Sequence, residues 1–385
     1  MFAVDEGHME LGSMLRAARE AAGMGLREIA RRTHFTPSYL SLIETGKRPA
    51  TIEVVAAYKK VLGAGTVTAE RSTDGELAAL DWVQRVAASD IGGGTLERLE
   101  LAVDDLASAY PTTAPDQLLA QVQQHLGYAA RLMEGKKTLV EHRRLLVTVG
   151  WLSLLAGTCH IDLGEVAAAA ARLRLVRDIA DEAGHPEIAA WCLETRAWQQ
   201  LTAGGFVAAV ELSRAAQAIA PPDCSAFIQS TAQEGRALAR LGDAKGTYNA
   251  LRRVARLVSG LHVPDRPEHH FRYDPAKSDA YVATTLSWLG DPAAEAYARH
   301  VLADLAGAAA IRPRRIASAN LDLGLALVAA DKPDEAAHVA LAAVTSGRLV
   351  PSNYWRVAEV VTGIEERDAP DAATVREAFR DTYPS

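Results

Sequence analysis

The sequence predicts an all-α protein in two parts, a small basic front and a long acidic body, and three observations carry that expectation. No stretch sustains the apolar–polar alternation of a half-buried strand, whereas apolar residues recur at three- and four-residue spacing almost throughout. Charge is unevenly divided: the 385-residue chain has a formal net charge of −7, yet residues 11–62 hold nine Lys or Arg against four acids, a net of +5. From about residue 150, a small residue recurs seven positions ahead of a turn Gly or Asp in five successive segments. A basic module on an acidic body is the electrostatic pattern of a nucleic-acid reader with a separate second domain. The overall acidity argues against a protein that coats nucleic acid along its whole length.

In the front part, Leu11, Leu15, Ala18 and Ala22 form one stripe of a first helix, which Gly23 and Gly25 end. "LREIARRT" supplies a second helix with Leu26, Ile29 and Ala30 inward, and His34 and Phe35 make the turn after it. Thr36 is a good N-cap for a third helix, and Pro37 suits its first position because the missing N–H is not needed there. That helix is about two turns long, since Gly46 can take the left-handed position that ends it ahead of Lys47 and Arg48. Thr51 caps a fourth helix, "IEVVAAYKKVLG".

Residues 10–63 resemble the Cro/C1-type helix-turn-helix domain of bacterial and phage regulators, the xenobiotic-response-element class. The matching features are "LREIA", the turn, "TPSYLSLIETGKRP" and the amphipathic helix that follows. The resemblance implies that the helix after the turn enters the major groove of DNA, with its N-terminal residues at base edges. Together with the helical wheel, it sets Ser38, Ser41 and Leu42 on the DNA side, with Thr36 and Pro37 at the tip. Serines donate or accept at several base edges, and Leu42 can pack on a thymine methyl. Tyr39, Lys47 and Arg48 are placed for phosphates, which position a protein without reading sequence. Leu40 and Ile43 face inward. Glu44 resembles the family's buried acid and Arg19 the cation that pairs with it, a structural ion pair. His34 stands where the family has a glycine; histidine tolerates left-handed backbone better than most residues, so the turn is expected to persist.

Residues 64–75 read as a linker and 76–109 as a helical connector that pauses at "SDIGGGT" and restarts with Thr95 as N-cap. The triple glycine is no phosphate loop, because no G-x-x-x-x-G-K-[ST] and no preceding strand accompany it. Residues 110–385 form the repeat region. The recurring pairs are Gly157 with Gly164, Ala197 with Gly204, Gly235 with Gly242, Ala283 with Gly290, and Gly324 with Asp331. Helices approach closely only where side chains are small, which gives the recurrence a physical cause. These segments resemble tetratricopeptide repeats, helical pairs that stack into a right-handed solenoid, best between Ala190 and Pro221. Turn residues spaced by about 40 rather than the ideal ~34 imply longer loops between pairs. The longest insertion, "GLHVPDRPEHHFRYDP", falls between the third and fourth pairs. Its His269 and His270 have no Cys or carboxylate at ligand spacing, so no metal is expected there.

A solenoid of this kind has a concave face lined mainly by the first helix of each pair. Placing each repeat by its turn puts Trp151, Glu194, Trp198, Arg236, Arg240, Lys277 and Trp288 on that face, with Trp191 at its edge. Aromatics interleaved with charges anchor a peptide or a small molecule; the alternative is that the tryptophans fill interfaces between repeats.

The two-part layout is similar to that of the peptide-pheromone receptors of quorum sensing. It is closer, in its Ala- and Arg-rich character and in "AWCLETRAW", "RYDPAK" and "TTLSWLGDP", to a set of actinobacterial regulators. The resemblance implies a transcription regulator bound to a double-stranded DNA operator. It also implies a homodimer, and a peptide, small-molecule or protein effector in the repeat domain. The alternative is a scaffold or adaptor whose front domain serves in oligomerisation. Catalysis and a cofactor are not expected: the sequence has no metal-ligand cluster, nucleophile elbow or Gly-rich strand-to-helix turn. The three cysteines form no C-x-x-C pair and read as core residues of a reducing compartment. The first ten residues lack the basic and apolar regions of a signal peptide, and no uninterrupted apolar run approaches ~18 residues. A cytoplasmic location follows as an expectation.

Overall fold

Eighteen α-helices and no strand make up the described residues (3–62, 89–91, 93–262, 268–275, 278–307 and 312–383) of the computed structural model. They divide into two units, Met1–Ala88 and Ser89–Ser385, each with its own core. The expected linker 64–75 and the front of the connector lie outside the described residues.

The first unit holds α1 (Ala3–Ala21), α2 (Leu26–Arg32), α3 (Pro37–Glu44) and α4 (Ile52–Leu62). Leu15, Ile29, Leu40, Ile43, Val54 and Tyr58 meet in its core. α1 begins at Ala3, ahead of the apolar stripe that marks it in the sequence. α3 is bounded by local chemistry at both ends. The Thr36 hydroxyl accepts from the Tyr39 amide at 3.3 Å, and Pro37 occupies the first helical position. At the other end, Gly46 takes φ +69. Its amide donates to the Ile43 carbonyl at 2.9 Å, and the Lys47 amide donates to the Leu42 carbonyl at 2.8 Å. This double closure uses carbonyls that the helix itself cannot satisfy. α1 crosses that end so closely that a Cβ on Gly12 would lie 2.1 Å from the Ile43 carbonyl oxygen.

The turn between α2 and α3 persists as expected, but by a different backbone route. His34 is not left-handed; among the described residues only Asp223, Asp331 and Asp368 have positive φ without being glycine. Thr33 (φ −118, ψ 173) and Thr36 (φ −79, ψ 149) carry the chain through extended backbone, so the turn has no position that only glycine could fill.

The second unit is built from helical pairs. Five correspond to the recurring segments: α7 (Leu139–Asp162) with α8 (Val166–Ala183), α9 (Pro186–Thr202) with α10 (Phe206–Ile219), and α11 (Ser225–Arg240) with α12 (Ala244–Val258). α13 (Ser278–Leu289) with α14 (Ala294–Gly307) and α15 (Pro313–Ala329) with α16 (Pro333–Thr345) complete the five. A further pair precedes them, α5 (Gly93–Ala109) with α6 (Pro115–Glu134). Another follows, α17 (Tyr354–Glu365) with α18 (Asp371–Thr382), after a 3₁₀ turn at Pro351–Asn353. α5 starts at Gly93, so Thr95 lies inside the helix and is not its N-cap.

Each of the five turns bends at one left-handed residue: Gly164 (φ +75), Gly204 (+82), Gly242 (+72), Gly290 (+72) and Asp331 (+59). Seven residues earlier, about two helical turns back, a neighbouring helix comes close. A Cβ on Gly157 would meet Leu173 of its partner helix at 3.2 Å, and one on Gly235 would meet the Ala250 Cβ of its partner at 3.1 Å. One on Gly324 would meet Val339 of its partner at 3.5 Å and Val360 of α17, in the next pair, at 3.2 Å. The first helices also pack on one another in order, α7 on α9, then α11, α13, α15 and α17. α7 is the one helix among the described residues long and apolar enough to cross a membrane, and most of its apolar stretch is buried inside the unit.

Two long-range features close the array. Asp162, at the end of α7, accepts from the Tyr110 hydroxyl (2.7 Å), from Arg314 Nη2 at the start of α15 (2.9 Å) and from the Ser352 hydroxyl (2.8 Å). The segment 268–275 of the long insertion folds back to the front of the unit. There the His270 amide donates to the Ala107 carbonyl at 3.0 Å, and Phe271 is buried against Trp151 and Trp191.

Candidate functional site

Two places in the molecule gather the residues singled out by sequence, and they lie in different units. In the first unit, α3 is clamped from behind by buried charge. Arg19 meets Glu44 through two hydrogen bonds, Nε to Oε1 and Nη2 to Oε2, both at 2.7 Å. The Tyr58 hydroxyl donates to the same carboxylate at 2.7 Å, and Arg19 Nη1 donates to the Met24 carbonyl at 2.8 Å. Burial, with the Glu44 carboxylate beside it, holds the Tyr58 phenol well above its usual range. Tyr58 is the third partner that the sequence reading did not find. Three elements, α1, α3 and α4, are thereby fixed to one carboxylate.

The opposite face of α3 is open. Thr36, Pro37, Ser38 and Leu42 are exposed and Ser41 is half-buried. Beyond the helix end, Lys47 and Arg48 are exposed. The Arg48 guanidinium sits 5.7 Å over the Tyr39 ring, which in turn stacks on Phe35 at 5.6 Å. On α2, by contrast, Arg31 and Arg32 both pair with Glu28. The face thus offers two hydroxyls and an aliphatic side chain on the helix, flanked by cations at its end.

In the second unit the first helices line a half-open cavity of about 300 Å³, at the small end of the range for ligand sites. α9 supplies one wall: Trp191, Glu194, Thr195, Trp198, Leu201 and Thr202 all line it, a single face at helical spacing. Arg236 of α11 and Tyr281 and Trp288 of α13 line it from other sides. The insertion contributes His270 and Tyr273, and the last pair contributes Trp355 and Arg356.

Three expected groove residues stand apart. Trp151 faces the core, 4.9 Å from the Phe271 ring and 5.8 Å from that of His185. Trp151 is half-buried and packs on the core from the side of α7 that the insertion covers, outside the cavity lining. Arg240 lies behind the cavity wall, over the rings of Phe206 (5.1 Å), Trp355 (5.4 Å) and Trp288 (5.7 Å), and pairs with Glu359. It braces the wall. Lys277 lies outside the described residues. Trp355 and Arg356 were missed because they follow the last recognisable turn, where no repeat spacing marks them.

The charges inside the cavity are unequally satisfied. Asp162 is held as described, and Asp322 accepts from Arg356 and, at 2.7 Å, from the Thr284 hydroxyl. Glu194 is only 5% exposed, and it accepts a hydrogen bond from a neutral group, Gln229 Nε2 at 3.2 Å. Burial pushes its carboxyl up to about 7, against the attraction of Arg236. Arg236 is itself engaged elsewhere, donating to Gln233 and lying 4.7 Å over the Tyr281 ring. Its Nε and the indole N–H of Trp288 are buried donors with no acceptor.

The sequence pattern of a family described as a helix-turn-helix domain matches residues 10–72. No curated protein matches the chain in sequence. Among solved structures, the chain is similar to Bacillus thuringiensis PlcR in complex with the peptide PapR7 and DNA. The TM-score is 0.33 and the identity 10%, over 98% of this chain and 100% of that one. A likeness of that strength carries no argument for this chain.

Proposed function

We propose that this chain is a sequence-specific DNA-binding transcription regulator of the Cro/C1 type. In this proposal α3 enters the major groove, and Ser38, Ser41 and Leu42 read base edges from it. Thr36 and Pro37 lie at its tip, and Tyr39, Lys47 and Arg48 hold phosphates. The observation that carries the reading is the contrast between the two sides of α3. One side is locked to a buried carboxylate that also binds α1 and α4. The other is polar, exposed and edged with cations. A helix held so firmly with its polar side outward is suited to reading a groove.

The helical-pair unit, similar to a tetratricopeptide solenoid, serves in this proposal as the dimerising and effector-sensing part. Its half-open cavity and the unsatisfied donors of Arg236 and Trp288 support a ligand site. An effector there acts by binding one arrangement of the dimer better than another, since only differential affinity shifts a population.

The test is selection of genomic fragments by the purified full-length protein, read out by sequencing. The expected result is an enriched inverted repeat, bound with the steep salt dependence of phosphate contacts. Ser38→Ala with Leu42→Ala should relax or abolish site preference while helix content by circular dichroism stays unchanged. An unaltered preference would take α3 out of the groove.

A further inference from the structure

Glu194 is a buried acid that Arg236 attracts without forming an ion pair. It lies on the cavity wall, and among the described residues no cation forms an ion pair with it. The other carboxylates that line the cavity, Asp162, Glu268 and Asp322, each have an arginine: Asp162 has Arg314, Asp322 has Arg356, and Glu268 has Arg312 and Arg315. Isolated buried charge is costly and is tolerated where a partner arrives to neutralise it. The surroundings specify that partner further. Trp191 stands three residues before Glu194 and Trp198 four residues after it, so two indoles flank the carboxylate along one face of α9. Indole faces attract organic cations within about 6 Å of the ring. Arg236, the cation that attracts Glu194, is drawn off by Gln233 and by the Tyr281 ring.

We propose that the cavity recognises its effector through an organic cation, a protonated amine or a guanidinium carried on an apolar body, which seats on Glu194 between Trp191 and Trp198. The inference rests on the proposal that the cavity is a ligand site and names the chemistry of what enters it. The cation completes the ion pair that the fold leaves open, and the apolar body displaces water from the aromatic walls. Recognition requires Glu194 to be ionised, so it strengthens as pH rises through about 7, where burial sets the titration of this carboxyl.

The experiment uses the full-length protein and three probes of one shape: 2-phenylethylamine, its N-acetyl derivative, and 3-phenylpropionate. Binding is read by tryptophan fluorescence and by thermal shift. The amine is expected to bind in the millimolar range, as suits a ligand of about nine non-hydrogen atoms. The neutral and anionic probes should bind at least about tenfold more weakly. Glu194→Gln should abolish that preference. In the unmodified protein the amine should bind more weakly at pH 5.5 than at pH 8, although the amine itself stays protonated at both.

Equal binding of all three probes, or an amine preference that survives Glu194→Gln, overturns the cation inference and leaves a ligand cavity. Preference for 3-phenylpropionate overturns it in favour of Arg236 as the anchor. If no probe binds, the inference and the ligand-site proposal both fall. Arg236 and His270 face the same cavity, so the pH comparison is repeated on His270→Gln. A pH effect that persists there belongs to Glu194, and this decides even if Glu194→Gln folds poorly.

Discussion

Glu194 is where ligand chemistry and stability oppose each other. An ordinary glutamate has a value of 4.5, and burial raises this one to about 7 in the folded chain. Between those two values the folded protein keeps a proton that the unfolded chain has released. Stability therefore falls as pH rises across that window and is level above it. Glu194→Gln removes the penalty, and it should stabilise the protein at pH 8 by about 1–3 kcal/mol and hardly at all at pH 4.5. Urea melts at the two pH values measure this; equal effects at both would mean that the carboxylate is compensated. Residues of this kind were only partly legible in sequence. Glu194 and Trp198 could be placed because α9 has one open face, and Arg19 and Glu44 because a motif marks them. Trp151 could not, because the ring that covers it, Phe271, comes from an insertion 120 residues further along the chain. Tyr58 lies 14 residues beyond Glu44, on another helix, and only the folded geometry brings the two together.

Among the elements, the close crossing of α1 over the end of α3 makes the sharpest demand. A side chain at Gly12 would collide with main-chain oxygen, which has no flexible end to swing aside. Gly12→Ala should cost the first unit about 1–3 kcal/mol and tilt α3 away from its clamp. Thermal melts followed with DNA-binding measurements on the same variant would show both losses. Wild-type stability would mean that α1 can slide along α3. Turns were the most legible elements of the fold. A left-handed residue preceded at a fixed interval by a small one describes two helices pressed together, and both halves of that signature are written locally. Helix starts were less so: "SDIGGGT" offers three flexible residues and a threonine cap, yet α5 begins within the glycines. The insertion gave no hint of its inward path, because Phe271 gains its burial from Trp151 and Trp191, far away in sequence.

At the scale of the whole second unit, the junction at Asp162 depends on Arg314. That arginine also donates to the Tyr110 carbonyl at 2.8 Å and stacks 4.8 Å from the Tyr110 ring. Arg314→Ala leaves a buried carboxylate without its cation and should cost about 3–5 kcal/mol; a chemical melt of the variant gives the figure, and a loss below 1 kcal/mol would show that Tyr110 and Ser352 suffice. No periodicity reveals such a junction, since its members are 152 and 190 positions away from Asp162 or lie in a different pair. Its consequence concerns how the unit comes apart. Stacked pairs that touch only their neighbours fray from a free terminus, one pair after another. Here the last pairs are tied back to α7, so neither end is free to loosen alone. Backbone amides of α17 should then exchange with deuterated solvent about as slowly as those of α9, and cutting the tie at Arg314 should speed exchange in α15 and α17 first.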